Sequence, residues 1–469
     1  MTDPDRIDLH EVAPAEVGEI DLYQRREKIY TRKIEGFFQR IRLFSGWPLL
    51  LGYLLLPWLY WDGRQAVLFD LPERKFDILG LTFWPQDFPM LAFLLIIAAF
   101  GLFAVTTFAG RIWCGYTCPQ TVWTSIFMWL EQKTEGSRNQ RVKLDKAPWS
   151  AEKIARKSAK HISWLFVAFV TGFTFVGYFY PIRELAGGLF SLGLDSWPPY
   201  WIVFFTLATY INAGWMREQV CKYMCPYARF QSVMFDHDTL IVSYDSGRGE
   251  PRGSRKRDAD PGELGLGDCI DCELCVQVCP TGIDIRHGLQ YECIGCALCV
   301  DACDSVMDKM SYPRGLIRYT SERELLGGRT HWLRPRIIGY AAVLMLMIGV
   351  FSYTMLTRVP LELTAIRDRN QLFVTSATGA IDNIYTLQLV NMDREMHEFE
   401  IGFSGIDGAE LIGETVHTLN GGEVRSISLR VRAEPAQLAV PSTEVTFEVQ
   451  ATDNPDLRAL TESRFVKPL

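Results

Sequence analysis

Residues 269–280 read CIDCELCVQVCP, and residues 293–304 read CIGCALCVDACD. Both stretches place four cysteines in the order C-x2-C-x2-C-x3-C, and Pro280 follows the first set. A cubane cluster needs four thiolates that converge on its irons, and these spacings let one loop supply three while a distant cysteine supplies the fourth. The pattern predicts an α+β insert like a bacterial ferredoxin, with two 4Fe-4S clusters.

The fourth cysteine of each set is the one that two-cluster ferredoxins exchange between their clusters. We therefore predict one cluster on Cys269, Cys272, Cys275 and Cys303, and the other on Cys293, Cys296, Cys299 and Cys279. The alternative is a pair of structural zinc sites, because CxxC pairs also build zinc ribbons. Zinc would be redox-silent, whereas two neighbouring iron–sulfur clusters normally conduct electrons.

The remaining four cysteines form two CxxxCP motifs, Cys114–Cys118 and Cys221–Cys225, each followed by proline and an amphipathic stretch at 120–132 or 227–236. Proline suits the first helical position, so Cys118 and Cys225 are predicted at helix N-caps, where the helix dipole lowers a thiol pKa. Four soft thiolates suit Cu(I), zinc or an iron–sulfur centre, and Met224 could add a thioether. The alternative is inert buried cysteines with Met224 in a packing role.

The cysteine distribution also fixes the kind of compartment. The chain has 469 residues and 12 cysteines, which all lie between Cys114 and Cys303 in compact groups. A disulfide framework would spread cysteines over every segment, so these groups indicate ligand sets in a reducing compartment.

The net charge of −7 argues against nucleic-acid binding. The polar residues 1–28 predict no signal peptide.

Five apolar stretches are long enough to cross a hydrocarbon core, which needs about 20 helical residues. They are 44–61, 88–110, 162–182, 197–215 and 337–356. Aromatic residues flank them, as at membrane interfaces. We therefore expect a multidomain membrane protein with an α-helical bundle of about five spans.

Basic residues predict the orientation of the spans. Seven Lys and Arg lie between residues 25 and 42 and nine between 133 and 160, against three in 62–87 and one in 183–196. Basic loops stay in the cytoplasm, so the N-terminus and the 217–336 region are expected there and the C-terminus outside. The CxxxCP motifs follow the second and fourth spans, which indicates an internal repeat that places both at the cytoplasmic boundary.

Two cofactor classes are disfavoured by the sequence. The predicted spans carry histidine only at an edge, His161, so paired axial ligands for a membrane haem are missing. The 247–253 segment is a basic linker and does not match a dinucleotide-binding fingerprint. His237, His287 and His331 lie near the membrane or the ferredoxin block, and each is expected to be an ordinary polar residue.

After about residue 361 the pattern changes to short alternating runs, at 385–389, 426–431 and 444–449, separated by turn signals. About a hundred residues of this kind predict an all-β immunoglobulin-like sandwich. His397 with Met392 or Met396 could suggest copper, but solvated or core roles are expected. We interpret this domain as a docking module.

Taken together, the chain resembles the CcoG family, also called FixG or RdxA, of cytochrome c oxidase accessory proteins. The resemblance extends over the polar N-terminus, the five spans, both CxxxCP motifs, the eight-cysteine block and the sandwich. The ferredoxin motif alone is shared with many proteins, and the membrane repeat with polyferredoxins of the NapH and NosR kind. The combination with the sandwich is what singles out this family.

The resemblance implies a cupric reductase that converts Cu(II) to Cu(I) for assembly of a cbb-type oxidase, with Cys114, Cys118, Cys221 and Cys225 as the expected copper site. It implies partners among oxidase assembly factors and copper chaperones, an unidentified cytoplasmic donor or a quinol, membrane lipid, and a possible homodimer. Two rivals stay open: a quinol-linked subunit with a periplasmic acceptor, and a non-catalytic assembly scaffold.

The expected division of the chain follows from these features. It is a cytoplasmic segment (1–43), a four-span membrane domain with both CxxxCP motifs (44–240), a ferredoxin domain (241–335), a fifth span (336–357) and a periplasmic sandwich (358–469). The expected location is the bacterial inner membrane.

Overall fold

The computed structural model describes residues 28–468 except 62, 192, 258, 369–371, 377–378, 394 and 439, and for Ser232 only the backbone. Residues 1–27, with the predicted lack of a signal peptide, lie outside the described residues. The described chain divides into two compact units. Unit 1 comprises the described residues within Met1–Leu51, Val105–Thr171 and Phe205–Trp332, and unit 2 comprises those within Gly52–Ala104, Gly172–Phe204 and Leu333–Leu469.

The helices are α1 (Phe37–Leu55), α2 (Phe88–Ala109), α3 (Ile112–Tyr116), α4 (Pro119–Glu135), α5 (Arg138–Lys146), α6 (Ala151–Val176), α7 (Ile182–Ser191), α8 (Trp197–Thr209), α9 (Pro226–Met234), α10 (Ser246–Gly249), α11 (Leu274–Val278), α12 (Leu298–Met310), α13 (Glu322–Leu325) and α14 (Pro335–Leu356). The strands are β1 (Tyr60–Trp61), β2 (Arg64–Gln65), β3 (Val67–Asp70), β4 (Lys75–Ile78), β5 (Leu81–Phe83), β6 (Ile241–Tyr244), β7 (Ile317–Thr320), β8 (Leu361–Arg367), β9 (Val374–Thr375), β10 (Ile381–Asn391), β11 (His397–Ser404), β12 (Glu410–Ile412), β13 (Val416–Leu419), β14 (Val424–Ala433), β15 (Ser442–Ala451) and β16 (Arg458–Val466).

The chain is a membrane protein, and three helical segments in its described part are long and apolar enough to cross a bilayer. They are Pro85–Ala109, Ala151–Val176 and Pro335–Leu356. They correspond to the second, third and fifth predicted spans. The first and fourth predicted spans also contain helices, but these do not reach the same length and hydropathy, so a five-span bundle stays a prediction.

The two weaker segments differ from the expected regular spans for local reasons. Helix α1 begins at Phe37, contains Pro48 and ends at Leu55, before a 3-10 turn at Leu56–Trp58 and strand β1. The expected continuation to residue 61 is wrong, because Pro57 stands at the start of that turn. Helix α8 gives way to a π-helical turn at Tyr210–Met216, so the fourth predicted span is not one regular α-helix.

The cysteine-rich part of unit 1 is a small α+β fold. Strands β6 and β7 pair antiparallel, with Ile241 opposite Thr320 and Tyr244 opposite Ile317. Helices α11 and α12 pack beside this hairpin, and Val242, Met307 and Ile317 lie in the shared core. The predicted ferredoxin-like insert is therefore present.

A buried ion cluster holds α4 to its neighbours within unit 1. The Glu131 carboxylate is fully buried and lies 2.7 Å from Arg217, 3.3 Å from Arg141 and 3.4 Å from Lys28. Burial alone would raise the pKa of Glu131, but these cations lower it to about 2. Removing one member of such a cluster costs about 3–5 kcal/mol, because its partners stay buried and uncompensated.

In unit 2, the residues between the first two helices form β3–β4–β5, a three-stranded antiparallel sheet, instead of an open loop. The C-terminal part is the predicted sandwich. One sheet has the order β12-β14-β10-β8, with β9 also paired to β10, and the other has the order β13-β11-β15-β16.

The sandwich core needs no disulfide. Tyr385, Phe399 and Phe447 are fully buried between the sheets, and the Tyr385 and Phe447 rings meet with centroids 4.9 Å apart. Each large apolar side chain buried in this way contributes about 1.5–3 kcal/mol. The three alternating runs seen in the sequence lie within β10, β14 and β15.

Candidate functional site

The first cleft in the ferredoxin-like part of unit 1 contains Cys269, Cys272, Cys275 and Cys303. It encloses about 370 Å³ of empty space, part of it open to solvent, and apolar side chains such as Val306 and Met307 complete its walls. Helix α12 carries Cys303, helix α11 carries Cys275, and the loop before α11 carries Cys269 and Cys272. The four cysteines predicted for one cluster therefore share one cleft.

The second cleft contains Cys279, Cys293, Cys296 and Cys299, and Cys275 lies on the wall it shares with the first. Its empty volume is about 350 Å³, and its other walls include Val242, Ile283 and Ile294. Cys279 thus lies with the second set and Cys303 with the first. This is the exchange expected of a two-cluster ferredoxin, although the individual iron ligands stay a prediction.

Matching backbone turns shape the two clefts. Glu273 and Ala297 both have left-handed backbones, with φ of 53° and 55°, and each precedes the helix that carries the third cysteine of its set. A left-handed residue reverses the chain direction sharply. This turn lets the first three cysteines of a set surround one cleft. The same turn occurs in both sets.

These clefts fit a cubane cluster. In the described part of the chain, no three His, Cys, Asp or Glu side chains are close enough to share a single metal ion. Four thiolates around one zinc, at about 2.3 Å each, would lie about 4 Å apart. A cubane places its thiolates at four separate irons and so requires them farther apart, in a cleft lined by all four.

The CxxxCP motifs lie where the membrane helices meet the ferredoxin-like part. Cys114 is in α3, and Cys221 is in a π-helical turn at Val220–Met224. Cys118 and Cys225 are the N-cap residues of α4 and α9, with proline at the first helical position, as predicted. We call Cys114, Cys118, Cys221 and Cys225 the boundary cysteines.

The boundary cysteines lie in one region of unit 1, but no three of them are close enough to share a metal ion, so a bound ion would have to draw their side chains together. Cys118, Cys221 and Cys225 are each near enough to Cys114 to raise its pKa, and Cys118 and Cys225 raise that of Cys221. Cys114 and Cys221 also pack against the apolar cluster that contains Cys296 of the second cleft. Two motifs separated by a hundred residues of chain therefore form one group of thiols beside the second cleft.

At Gly115 the first CxxxCP motif lies very close to the second cleft. A Cβ atom at Gly115 would lie 2.9 Å from Cys296 Cα and 2.9 Å from the Gly295 carbonyl oxygen. Backbone atoms cannot move aside as the end of a side chain can. The first motif is thus in direct backbone contact with the loop that carries Cys296.

The expectation of a lowered pKa at the helix N-cap is wrong for Cys118. Burial raises the pKa of Cys118 and outweighs the backbone N–H groups of Thr121 and Gln120, which lower it. Burial and the neighbouring cysteines raise the pKa of Cys114 and of Cys221 to about 12, although Arg111 lowers both. These thiols are protonated in the metal-free protein, so a soft metal must displace their protons to bind.

Arg111 is a buried cation that the sequence analysis missed. Its side chain is 5% exposed, donates to the Ala228 carbonyl and lies 3.4 Å from the carbonyl oxygen of Cys293. It therefore stands between the boundary cysteines and the second cleft. The sequence did not single out Arg111 as part of the site, because a lone arginine at the end of a predicted span is usually explained by membrane orientation.

A second missed feature is a buried polar chain beside Cys114. The Cys114 thiol donates to Gln231 Oε1 at 3.2 Å, and Gln231 Nε2 donates to Thr106 Oγ1 at 3.1 Å. Thr106 in turn lies 2.8 Å from the Tyr227 hydroxyl. This chain fixes the orientation of Cys114, and it is assembled from α2, α3 and α9.

The histidines behave as ordinary polar residues. His237 Nδ1 lies 2.8 Å from Glu322, His331 lies 3.7 Å from Asp238, and His287 lies 3.9 Å from Asp284. His397 in the sandwich is held between Asp453 and Asp393, at 2.7 and 3.1 Å. Each of these histidines has a carboxylate neighbour.

Comparison with known families matches three regions of the chain. Residues 216–322 match a 4Fe-4S dicluster domain, residues 91–135 match a 4Fe-4S binding domain, and residues 351–468 match the IG-like fold at the C-terminal of FixG. The second match contains Cys114 and Cys118. The chain therefore carries two 4Fe-4S binding domains and an Ig-like C-terminal domain.

Relatives resemble the chain over most of its length. It is 39% identical to nitrogen fixation protein FixG of Rhizobium meliloti over 87% of this chain and 84% of that protein. It is 42% identical to protein RdxA of Cereibacter sphaeroides over 82% of this chain and 84% of that protein. A solved FixG-related protein from Vibrio parahaemolyticus is 28% identical, with a TM-score of 0.22 over 24% of this chain and 98% of that one.

Proposed function

The chain belongs to the FixG/RdxA family of iron–sulfur redox proteins, and we propose that it is a membrane-bound oxidoreductase that reduces Cu(II) to Cu(I) for assembly of a cbb-type cytochrome c oxidase. The observation that carries the proposal is the contact between the boundary cysteines and the second cleft. Copper held by these thiols would lie beside a redox centre, without a further carrier between them.

The residues assigned to the clusters follow from the clefts. Cys269, Cys272, Cys275 and Cys303 would hold one 4Fe-4S cluster, and Cys279, Cys293, Cys296 and Cys299 the other. When bound, such clusters take up and release single electrons. The apolar walls of the second cleft bury Cys296 and leave its other three cysteines half-buried.

The boundary cysteines would act as the copper site. Each Cu(II) accepts one electron and becomes Cu(I), and a reductant of the protein loses one. Thiolates prefer Cu(I) to harder ions and so favour the product. Arg111 would offset the negative charge that develops when the buried thiols lose their protons to the metal. Gln231 would hold Cys114 in place.

The test is Cu(II) reduction under turnover by the full chain in detergent, with dithionite as the electron source and a Cu(I)-specific chelator. The variant replaces Cys114, Cys118, Cys221 and Cys225 with serine. We expect the iron content to stay unchanged and the rate above dithionite alone to be lost. Tyr223→Phe is the matched control, since its exposed side chain lies within the second motif, and its rate should stay near that of the unmodified chain.

A second occupant of the boundary cysteines is favoured by one finding, the match of residues 91–135 to a 4Fe-4S binding domain. If the four thiols hold a third cluster instead of copper, the anaerobically purified chain would carry about twelve irons, since each cluster has four. Our proposal expects about eight irons, and Cu(I) that the four-serine variant cannot bind.

A further inference from the structure

The two clefts differ in their access to solvent. Cys272 of the first cleft is exposed. In the second cleft Cys296 is buried, Cys279, Cys293 and Cys299 are half-buried, and the first CxxxCP motif covers the loop that carries Cys296. If copper is reduced beside the second cleft, as proposed above, the first cleft is the side at which electrons would enter.

A group of basic side chains lies on two segments that adjoin the first cleft, the 255–257 stretch and the end of α12. Arg255 Nη1 lies 3.4 Å from the carbonyl oxygen of Cys269, and its guanidinium lies 5.1 Å over the Tyr312 ring. The neighbouring Lys256 and Arg257 are exposed, and Arg257 lies 3.4 Å from Ser311 Oγ. Lys309, also exposed, is two residues from Ser311. We call Arg255, Lys256, Arg257 and Lys309 the basic patch.

The charge of the basic patch is not neutralised by the carboxylates that the structure describes. Other arginines around the first cleft have such partners: Arg248 lies 2.5 Å from Asp268, Arg286 lies 2.6 Å from Asp284, and Arg314 lies 2.7 Å from Asp308. No described carboxylate lies within ion-pair distance of the four patch residues. In a chain with a net charge of −7, these four side chains thus form a local group of cations without an ion-pair partner among the described carboxylates.

We infer that the basic patch is the docking surface for a small acidic one-electron carrier protein, which supplies the electrons for the proposed copper reduction. In each encounter the carrier would lose one electron to the cluster that Cys269, Cys272, Cys275 and Cys303 would hold, and one such electron would reduce one Cu(II). Complexes between electron carriers are small and transient. They depend on complementary charge, which steers association and raises its rate.

Anionic lipid is the other occupant that a basic patch could attract, since clustered Lys and Arg bind acidic membrane surfaces. The position of the patch favours the carrier. Arg255 contacts the backbone of Cys269 in the first cleft, and Lys309 lies on α12, the helix that carries Cys303 of that cleft. A lipid contact would not require this proximity.

The test measures binding of an oxidised bacterial flavodoxin, an acidic one-electron carrier, to the full chain in detergent at low and high salt. The variant is K256E/R257E, which leaves Arg255 and its contacts intact. The matched control is K143E/K146E, the same charge change on exposed lysines of α5. We expect the patch variant to weaken low-salt binding by at least about tenfold and to lose most of its salt dependence, while the control stays close to the unmodified chain.

Equal binding by the patch variant and the control would overturn the inference. So would a patch variant that binds flavodoxin normally but loses its stabilisation in nanodiscs containing phosphatidylglycerol, relative to phosphatidylcholine alone, because that result assigns the patch to lipid. Copper reduction driven by dithionite should be equal in both variants. Its loss in the four-serine variant is a separate result, so failure of the docking surface and failure of the proposed function are distinguishable.

Discussion

At the scale of single residues, Gly115 is the position where the CxxxCP motif and the second cleft come closest. A side chain there would approach the backbone of Gly295 and Cys296 within 3.0 Å. Overpacking of this kind typically costs about 1–3 kcal/mol. The absence of a side chain is therefore a structural requirement of the contact.

We predict that Gly115→Ala displaces the Cys296 loop and lowers the iron content of the purified chain from about eight toward about four, since one of two clusters is affected. Iron analysis and EPR of the reduced protein measure this. Gly187→Ala is the matched control, because a Cβ at Gly187 meets nothing within 4 Å. Equal iron content in both variants would contradict the prediction.

Arg111 allows a test of charge apart from packing. A cation beside the second cleft stabilises its more negative, reduced state, so Arg111→Met should lower the reduction potential of the second cluster. A shift of about 60 mV corresponds to a tenfold change in a one-electron equilibrium. EPR-monitored redox titration measures it, and Arg111→Lys, which keeps the charge, should restore most of the potential. Equal potentials in the two variants would assign Arg111 a packing role only.

The residues that sequence could and could not predict differ in a physical way. The cysteine spacings are local, so the shared clefts and the N-cap positions of Cys118 and Cys225 were predictable. Gly115 touches Cys296, and Gln231 binds Cys114, only through the tertiary fold. The pKa of Cys118 was mispredicted for the same reason, because its burial depends on residues that are distant in the chain.

At the scale of secondary structure, the two CxxxCP motifs are not equivalent. The first continues an α-helical turn that packs on the Cys296 loop, whereas the second lies in a π-helical turn that follows Arg217, a non-glycine residue with φ of 46°. π-Helical turns are often found at functional sites. The sequence repeat predicted both motifs but not this difference, because a π-helical turn of five residues is too short to leave a distinct apolar pattern.

Strand β11 carries the clearest pH-sensitive contact of the sandwich. Burial lowers the pKa of His397, but Asp453 and Asp393 outweigh burial and raise it above its usual 6.5. A raised histidine pKa contributes stability that is fully present below the unfolded-state pKa, and this stability is lost as pH rises through the folded-state pKa. The contact should therefore protect β11 in acid and not in alkali.

We predict that His397→Asn increases amide exchange in β11 relative to the unmodified full chain at about pH 5, and that this difference largely disappears at about pH 9. Hydrogen-exchange mass spectrometry compares the two proteins at the same pH, so that the intrinsic exchange rate of each amide is the same in both. His417→Asn is a control, since its ring lies against the Glu414 backbone carbonyl. A difference that grows toward alkaline pH would contradict the assignment.

At the scale of the whole molecule, the distribution of Lys and Arg predicts the topology. Three helical segments of the described residues are long and apolar enough to span a bilayer. Composition could identify these, and Pro48 and Pro57 mark the first predicted span as irregular in the sequence itself, but nothing in the sequence showed the π-helical turn after α8. The sandwich was predictable as a fold because its alternating runs match β10, β14 and β15, while β3, β4 and β5 have only three or four residues each and are too short to show an alternating pattern.

Reporter fusions test the topology directly. We expect green fluorescent protein inserted in the 136–150 region to be fluorescent in the cytoplasm, and alkaline phosphatase fused after the full chain to be active outside it. Alkaline phosphatase inserted in the 136–150 region and green fluorescent protein fused after the full chain should both be inactive. Phosphatase activity at 136–150 would contradict the orientation that the basic residues predict.

The central claim is that electrons held in the two clefts reach copper at the boundary cysteines. The most direct measurement mixes the anaerobically reduced full chain, freed of reductant, with Cu(II) and a Cu(I)-specific chelator, and follows cluster oxidation and Cu(I) formation together. The account predicts one Cu(I) for each electron lost, at a single rate, with loss of both signals in the four-serine variant that keeps its iron. Equally fast Cu(I) formation by that variant would contradict it.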